Sequence, residues 1–380
     1  MAWKFRRRVK IIPGVHLNFS KSGISTSIGV KGASVTLGSS GAYLNTSIPG
    51  LGIYNRQQLS NGVKKPMLPP ALPQNNSYPF ESRGNIFSAD IHEITSQDMQ
   101  GIKEAILLAR QQRATLHSDL SGIQKALHTT QLKKTLSYLL LYGLFKKSIP
   151  ARLSNDIEAQ QEAIIQTKDQ IDASFVKLKA HFDPDIEEKY KSLVTAFTTL
   201  SRSSKIWDLT SSHYEDRVVT RSSASTVVTR RKVSLGLKSI SEFKSEVHGL
   251  YFQNANGADL YIYPSFIIMY SNKSDFAIIG LDEVDFQYSY VRFVETENVP
   301  VDSKVIDRTW AKVNKNGTPD RRFKGNYQIP VVRYGEIRLK TKTGLHEVYK
   351  FSNYESTEAF GKAYKDYRES VLGFDSSRNF

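Results

Sequence analysis

The chain contains no cysteine, which excludes disulfides, thiolate catalysis and cysteine-bearing zinc sites. It has no run of 18 apolar residues, so no membrane-spanning helix is expected. The nearest approach is LSYLLLYGLF, residues 136–145. The opening MAWKFRRRVKIIPG is basic but holds no apolar stretch of signal-peptide length. These absences predict a cytoplasmic protein, with peripheral contact at the inner membrane as an open alternative. Acid is also missing over a long stretch. No Asp or Glu occurs before Glu81, while the first 80 residues carry ten Lys or Arg. The net charge is +15, so two-thirds of the excess sits in that first fifth of the chain. A basic surface this local predicts an anionic partner: nucleic acid, a lipid headgroup layer or an acidic protein.

Catalytic signatures are absent too. There is no G-x-x-x-x-G-K, no HExxH and no G-x-S-x-G. His181 stands near Asp183, and His213 near Glu215 and Asp216, but neither group has a third ligand at metal spacing. Asp282, Glu283 and Asp285 lack a downstream lysine partner of the nuclease kind. No cofactor, no metal site and no enzyme activity is expected.

The most ordered pattern is a glycine repeat. Gly23, Gly32, Gly41 and Gly50 stand nine residues apart. Between them Ile24, Thr26 and Ile28 align with Ala33, Val35 and Leu37, then with Ala42, Leu44 and Thr46. The opposite parity reads Ser25, Ser27, Ser34, Thr36, Tyr43, Asn45 and Ser47. Alternation with period two predicts short antiparallel strands with one mostly apolar face and one hydroxyl-rich face. Two earlier strands are expected. One carries Trp3, Phe5, Val9 and Ile11 against Lys4, Arg6, Arg8 and Lys10; the other is Val15 to Phe19. The four basic residues of the first form the candidate anion-binding site of this head. A sheet this small cannot cover its own apolar face, so it packs on the rest of the chain or on a second copy.

Phe5-Arg6-Arg7, Pro13-Gly14-Val15, Leu17-Asn18-Phe19-Ser20-Lys21-Ser22-Gly23 and Pro49-Gly50-Leu51-Gly52 together resemble a bacterial domain-of-unknown-function family, number 4236. Ala2 stands where many members have Gly. The resemblance implies a bacterial or phage origin and brings no activity with it.

Residues 59–92 read as a Pro/Asn-rich linker between the head, 1–58, and a helical region, 93–204. Ile102, Ile106, Ala109, Leu116, Leu120, Ile123 and Leu127 form one amphipathic stripe. Ile157, Ile164, Ile171 and Leu178, seven apart, form a second, with Phe175 and Phe182 in the companion position, and suggest coiled-coil packing. The two stripes predict an antiparallel hairpin with its tip near residues 141–152. A third helix is predicted from Pro184, capped by Asp183. The tip residues Leu141, Tyr142, Leu144 and Phe145 adjoin Lys146 and Lys147. They are expected either to be buried against another surface or to touch anionic lipid.

Residues 205–380 are rich in strand-like runs followed by one helix, capped at Ser356 or Thr357. This pattern resembles a pleckstrin-homology-like barrel, an analogy of architecture only. Within it, Asp320, Arg321 and Arg322 form a candidate anion- or protein-binding loop, or else pair locally. Arg217, Arg221, Arg230, Arg231 and Lys232 make a further basic group without interleaved aromatic residues. The expected class is therefore α+β multidomain: a glycine-punctuated meander, a helical hairpin and a C-terminal antiparallel β-barrel-like domain capped by a helix. The expected function is a non-catalytic assembly or adaptor protein, a homo-oligomer that binds an unidentified protein partner. The alternative is a module that binds nucleic acid or a membrane surface through the basic head and the hairpin tip. Membership of a bacterial antiviral system is a third expectation, resting on the general habits of multidomain bacterial proteins.

Overall fold

The computed structural model describes residues 14–20, 23–30, 33–38, 41–48, 53–61, 84–86, 88–89, 94–140, 148–214, 226–272, 275–314 and 316–372. The period-two head becomes β1 (Gly14–Ser20), β2 (Gly23–Val30), β3 (Ala33–Gly38), β4 (Gly41–Ile48) and β5 (Ile53–Asn61). Each pairs antiparallel with the next, as the alternation predicts. The earlier strand expected at Trp3 to Ile11 lies outside the described residues. The meander does not end at its first strand. β7 (Val176–Phe182) lies parallel to β1, and β11 (Phe243–Ser245) lies parallel to β7. The result is one seven-stranded sheet in the order β11-β7-β1-β2-β3-β4-β5, built from three distant parts of the chain.

Two long helices, α1 (Gln100–Leu139) and α2 (Ser148–Ala173), pack on each other as the predicted hairpin. Ile102, Ile106, Ala109, Leu116 and Ile123 of the first stripe are buried. The second stripe is corrected. Ile157, Ile164 and Ile171 are only half-buried, and the residues of α2 that are covered are Pro150, Gln160, Ala163 and Thr167. Thr167 spends its hydroxyl on the Ala163 carbonyl (2.7 Å), and Gln160 donates to Thr130 Oγ1 (3.1 Å). Small or hydrogen-bonding side chains, Thr167 bonded within α2 and Gln160 bonded across to α1, line the contact there in place of a heptad seam of large apolar residues. The stripe also overran its helix. Ser174 turns the chain by bonding back to the Ile171 carbonyl, and Phe175, Leu178 and Phe182 follow in or beside β7. Val176, Leu178, Ala180 and Phe182 alternate with Lys177, Lys179 and His181, a strand pattern that the seven-residue spacing concealed. A third helix, α3 (Pro184–Leu200), starts at the predicted Asp183. No helix among the described residues is long and apolar enough to cross a membrane.

The C-terminal part holds two further sheets rather than a closed barrel. One has the order β10-β12-β13-β14-β15, with β10 (Leu235–Lys238), β12 (Gly249–Phe252), β13 (Asp259–Ile262), β14 (Phe266–Tyr270) and β15 (Phe276–Gly280). The other runs β16 (Asp285–Val294), β18 (Gln328–Lys340), β19 (His346–Phe351), β8 (Ile206–Tyr214) and β6 (Gly84–Asn85). It is extended by β17 (Lys304–Trp310) on β18 and β9 (Thr226–Lys232) on β8. A single 3-10 turn at Leu281–Glu283 carries the chain from the first sheet to the second. Aromatic side chains of α3 and of the final helix α4 (Tyr354–Leu372) fill the join. Phe197 meets Phe252 at 5.3 Å and Phe360 at 5.7 Å, while Phe286 stacks on Tyr364 at 4.1 Å. Bulk of this size between sheets keeps them apart and open. Asn353, not Ser356 or Thr357, caps α4: its Oδ1 accepts the Ser356 N–H at 2.9 Å.

Two glycines set how closely α4 lies on its sheet. A Cβ at Gly361 would come within 2.3 Å of the Tyr288 ring, and one at Gly335 would strike the Thr357 side chain. Gly361→Ala should therefore lower stability by about 2 kcal/mol through overpacking. That loss outweighs the gain of at most about 1 kcal/mol that alanine brings to a helix. Urea titration followed by circular dichroism would check this, and an unchanged midpoint would refute the tight contact.

Candidate functional site

None of the seven strands of the N-terminal sheet contains an Asp or Glu. Strand alternation then sorts their side chains. Val15, Thr26, Val176 and Leu178 are buried, and Ile28 packs against the main core. Gly101, in the first turn of α1, lets the tip of Ile28 approach the helix backbone. With that face turned inward against α1 and α4, the opposite face is directed outward.

The cross-strand register defines this outer face. Lys244 stands opposite Lys177, Lys179 opposite His16, His16 opposite Ser27, and Ser27 opposite Thr36. Thr36 faces Tyr43, and Asn45 faces Arg56. Lys177, Lys179, His181, His16 and Arg56 are exposed. Across the middle runs a chain of uncharged polar groups. Ser27 Oγ and Thr36 Oγ1 are 2.7 Å apart, and Asn45 Nδ2 donates to Thr36 Oγ1 at 2.7 Å. At one side the Arg56 guanidinium lies 3.9 Å from the centre of the Tyr43 ring, a cation–π contact. At the other, the His16 and His181 rings lie within 5° of parallel with centroids 6.3 Å apart. Burial, then the neighbouring His181 and Lys179, hold the His16 pKa below the ordinary imidazole value. Lys244 is engaged at the rim, donating to the Asp172 carbonyl at 3.0 Å and lying over Phe175.

The residues singled out by the sequence fare differently. Lys4, Arg6, Arg8 and Lys10 lie outside the described residues, as do the tip residues Leu141, Tyr142, Leu144, Phe145, Lys146 and Lys147, and Arg217 and Arg221. Asp320 is buried and accepts both Nε (2.9 Å) and Nη2 (2.8 Å) of Arg322, so these two groups pair with each other. Arg321 is exposed beside them. Arg230 lies between Trp207 (4.4 Å) and Phe293 (4.6 Å) and forms a forked pair with the buried Glu295, which also accepts the Tyr334 hydroxyl. Its charge is spent inside the protein, holding β9 to the end of β16. Among the described residues no group of three or more His, Asp or Glu could hold a metal ion.

The sequence reading missed Lys177, Lys179 and His181 as parts of this face. Their alternation with Val176, Leu178 and Ala180 was the available signal. It also missed a buried acidic pair. Asp208 and Glu347 are 0 % and 1 % exposed. Asp208 Oδ2 accepts the Ala255 N–H, and Glu347 Oε1 accepts the Ser88 hydroxyl at 2.6 Å. Burial raises both pKa values, that of Glu347 to about 8, with the Asp208 charge adding to the rise.

Residues 3–56 match the model of a family described as protein of unknown function, DUF4236. The match takes in β1 to β4 and the start of β5, the meander portion of the candidate face. No curated protein and no solved structure matches the chain.

The Glu347 shift has a sign that can be measured. A carboxyl whose pKa rises on folding contributes most stability below its unfolded value of 4.5 and loses it as pH rises through about 8. Wild-type protein should therefore lose more of its melting temperature between pH 6 and pH 9 than Glu347→Gln. Parallel slopes for the two proteins in differential scanning fluorimetry would exclude a neutral Glu347 in the fold.

Proposed function

We propose that this protein is a non-catalytic adaptor that grips an anionic partner on the outer face of its N-terminal sheet. One observation carries the reading: seven strands drawn from three parts of the chain contribute lysine, arginine, histidine, hydroxyl and amide groups to that face, and no carboxylate. Charged side chains of both signs usually share an exposed sheet, and a surface of one sign attracts its opposite over several ångströms. The remaining elements serve as a mount. The inward sides of β2 and β7 rest on the helices, which fixes where the outer face points. Nine further basic residues in the first 80 add to the positive charge of this part of the chain.

Retention on a heparin column tests this reading. Lys177→Glu/Lys179→Glu changes two exposed side chains on the face and should elute at clearly lower salt than wild type, with an unchanged circular dichroism spectrum. Equal elution would remove the face from the function.

A second reading, self-association, is favoured by the far end of α1. Leu132, Leu136, Leu139 and Leu140 are 50 %, 47 %, 77 % and 68 % exposed, and leucines at this spacing share one side of a helix. An oligomer seals such a strip. Light scattering should give more than one chain per particle, and Leu136→Asp/Leu139→Asp should restore the monomer. A wild-type monomer at every concentration would dispose of this second reading.

A further inference from the structure

We infer that the anionic partner of the sheet face is single-stranded nucleic acid, laid across the strands with its phosphates on the flanking cations and its bases on the ring and amide groups between them. The inference rests on the adaptor reading and names the partner that reading leaves open.

Three features of the face select this partner over other polyanions. The first is the position of the cations. Lys177 and Lys179 stand on β7 and Arg56 on β5, at opposite sides of the sheet, with uncharged rows between them. Five strand spacings of about 4.8 Å separate β7 from β5, so the face is about 24 Å wide. An extended strand several nucleotides long fits that width with charge at both sides. The second is the presence of flat groups. His16 and His181 are exposed and nearly parallel, and the Tyr43–Arg56 pair offers a stacked ring and guanidinium. Bases stack on such surfaces for about 1–3 kcal/mol each, without reference to sequence. The third is the Ser27–Thr36–Asn45 chain. Asn45 uses an N–H to reach Thr36, and an amide group carries a second N–H and a carbonyl oxygen. These suit the mixed donor and acceptor edge of an unpaired base.

The same features argue against a lipid surface. Membrane-binding faces bury apolar side chains in the interface. Among the strand residues whose exposure is described, none is a large exposed hydrophobic. Exposed stacking groups also favour a single strand over a duplex, whose bases are stacked on one another and withheld from the rings.

The test is fluorescence anisotropy with a labelled mixed-sequence 15-nucleotide single-stranded DNA and the full chain. The comparison ligands are the matching duplex and vesicles of phosphatidylcholine with phosphatidylglycerol. Wild-type protein should bind the single strand more tightly than the duplex and should not float with the vesicles. His16→Ala/His181→Ala should weaken single-strand binding at least fivefold while shifting heparin elution far less than Lys177→Glu/Lys179→Glu. Asn45→Asp, nearly isosteric, should weaken binding at least tenfold by placing one carboxylate on the face. If phosphate contacts follow counterion release, each lost cation lowers the slope of log affinity against log salt by about 0.7. The Lys177→Glu/Lys179→Glu slope should then be shallower than wild type by at least about 1.4. Unchanged affinity in both the His16→Ala/His181→Ala and Asn45→Asp proteins would overturn the inference. So would preference for duplex or vesicles, or the absence of single-strand binding. If heparin retention still depends on Lys177 and Lys179 in any of those cases, the adaptor reading stands and only the partner is wrong.

Discussion

The parallel pairing of β1 with β7 is the constraint on which the rest depends. Val15 aligns with Leu178 and Phe19 with Phe182, and this register fixes which side of the meander meets the body of the protein. A shift of one residue would turn every side chain to the other face. It would bury His16 and Lys179 and expose Val15 and Leu178. The burial cost of a lysine and the gain from two aliphatic side chains both oppose that slip. The meander alone would be a marginal sheet; joined to β7 it becomes part of the main core.

The body of the protein holds that register by aromatic packing. Phe182 stacks on Tyr190 at 5.2 Å, Tyr190 meets Tyr367 at 5.3 Å, and Tyr367 donates to the Pro264 carbonyl at 2.9 Å. These contacts link the end of β7 to α3, α4 and the five-stranded sheet. The polar residues between the C-terminal strands add direction. Arg230 with Glu295, and Lys350 with Glu336, are ion pairs out of water, and buried pairs of this kind act through geometry more than through net stability.

Much of this was legible in the sequence. Helices α1 and α3 and the head meander all follow from apolar spacing and turn residues, because both depend on neighbours within a few positions. The failures were of three physical kinds. Leu178 fitted a heptad begun at Ile157, and a long helical pattern masked a seven-residue strand whose partner lies far away in sequence. Asn353 was overlooked as a cap because Ser356 and Thr357 stood where an apolar stripe seemed to begin. Arg230 was grouped with its basic neighbours in sequence, yet its role is decided by Glu295, 65 residues on. The candidate face could not be read from the head alone, since Lys177 and Lys179 join it only through tertiary pairing.

The β1–β7 pairing also orders events during synthesis. β1 leaves the ribosome before its parallel partner, which is translated more than 150 residues later. At typical elongation rates that delay is roughly 10–30 s. For that interval Val15 and Ile28 have no core to enter, while the lysines and arginines of the nascent head are already in solution. Like charge on neighbouring nascent chains opposes contact between those unfinished sheets.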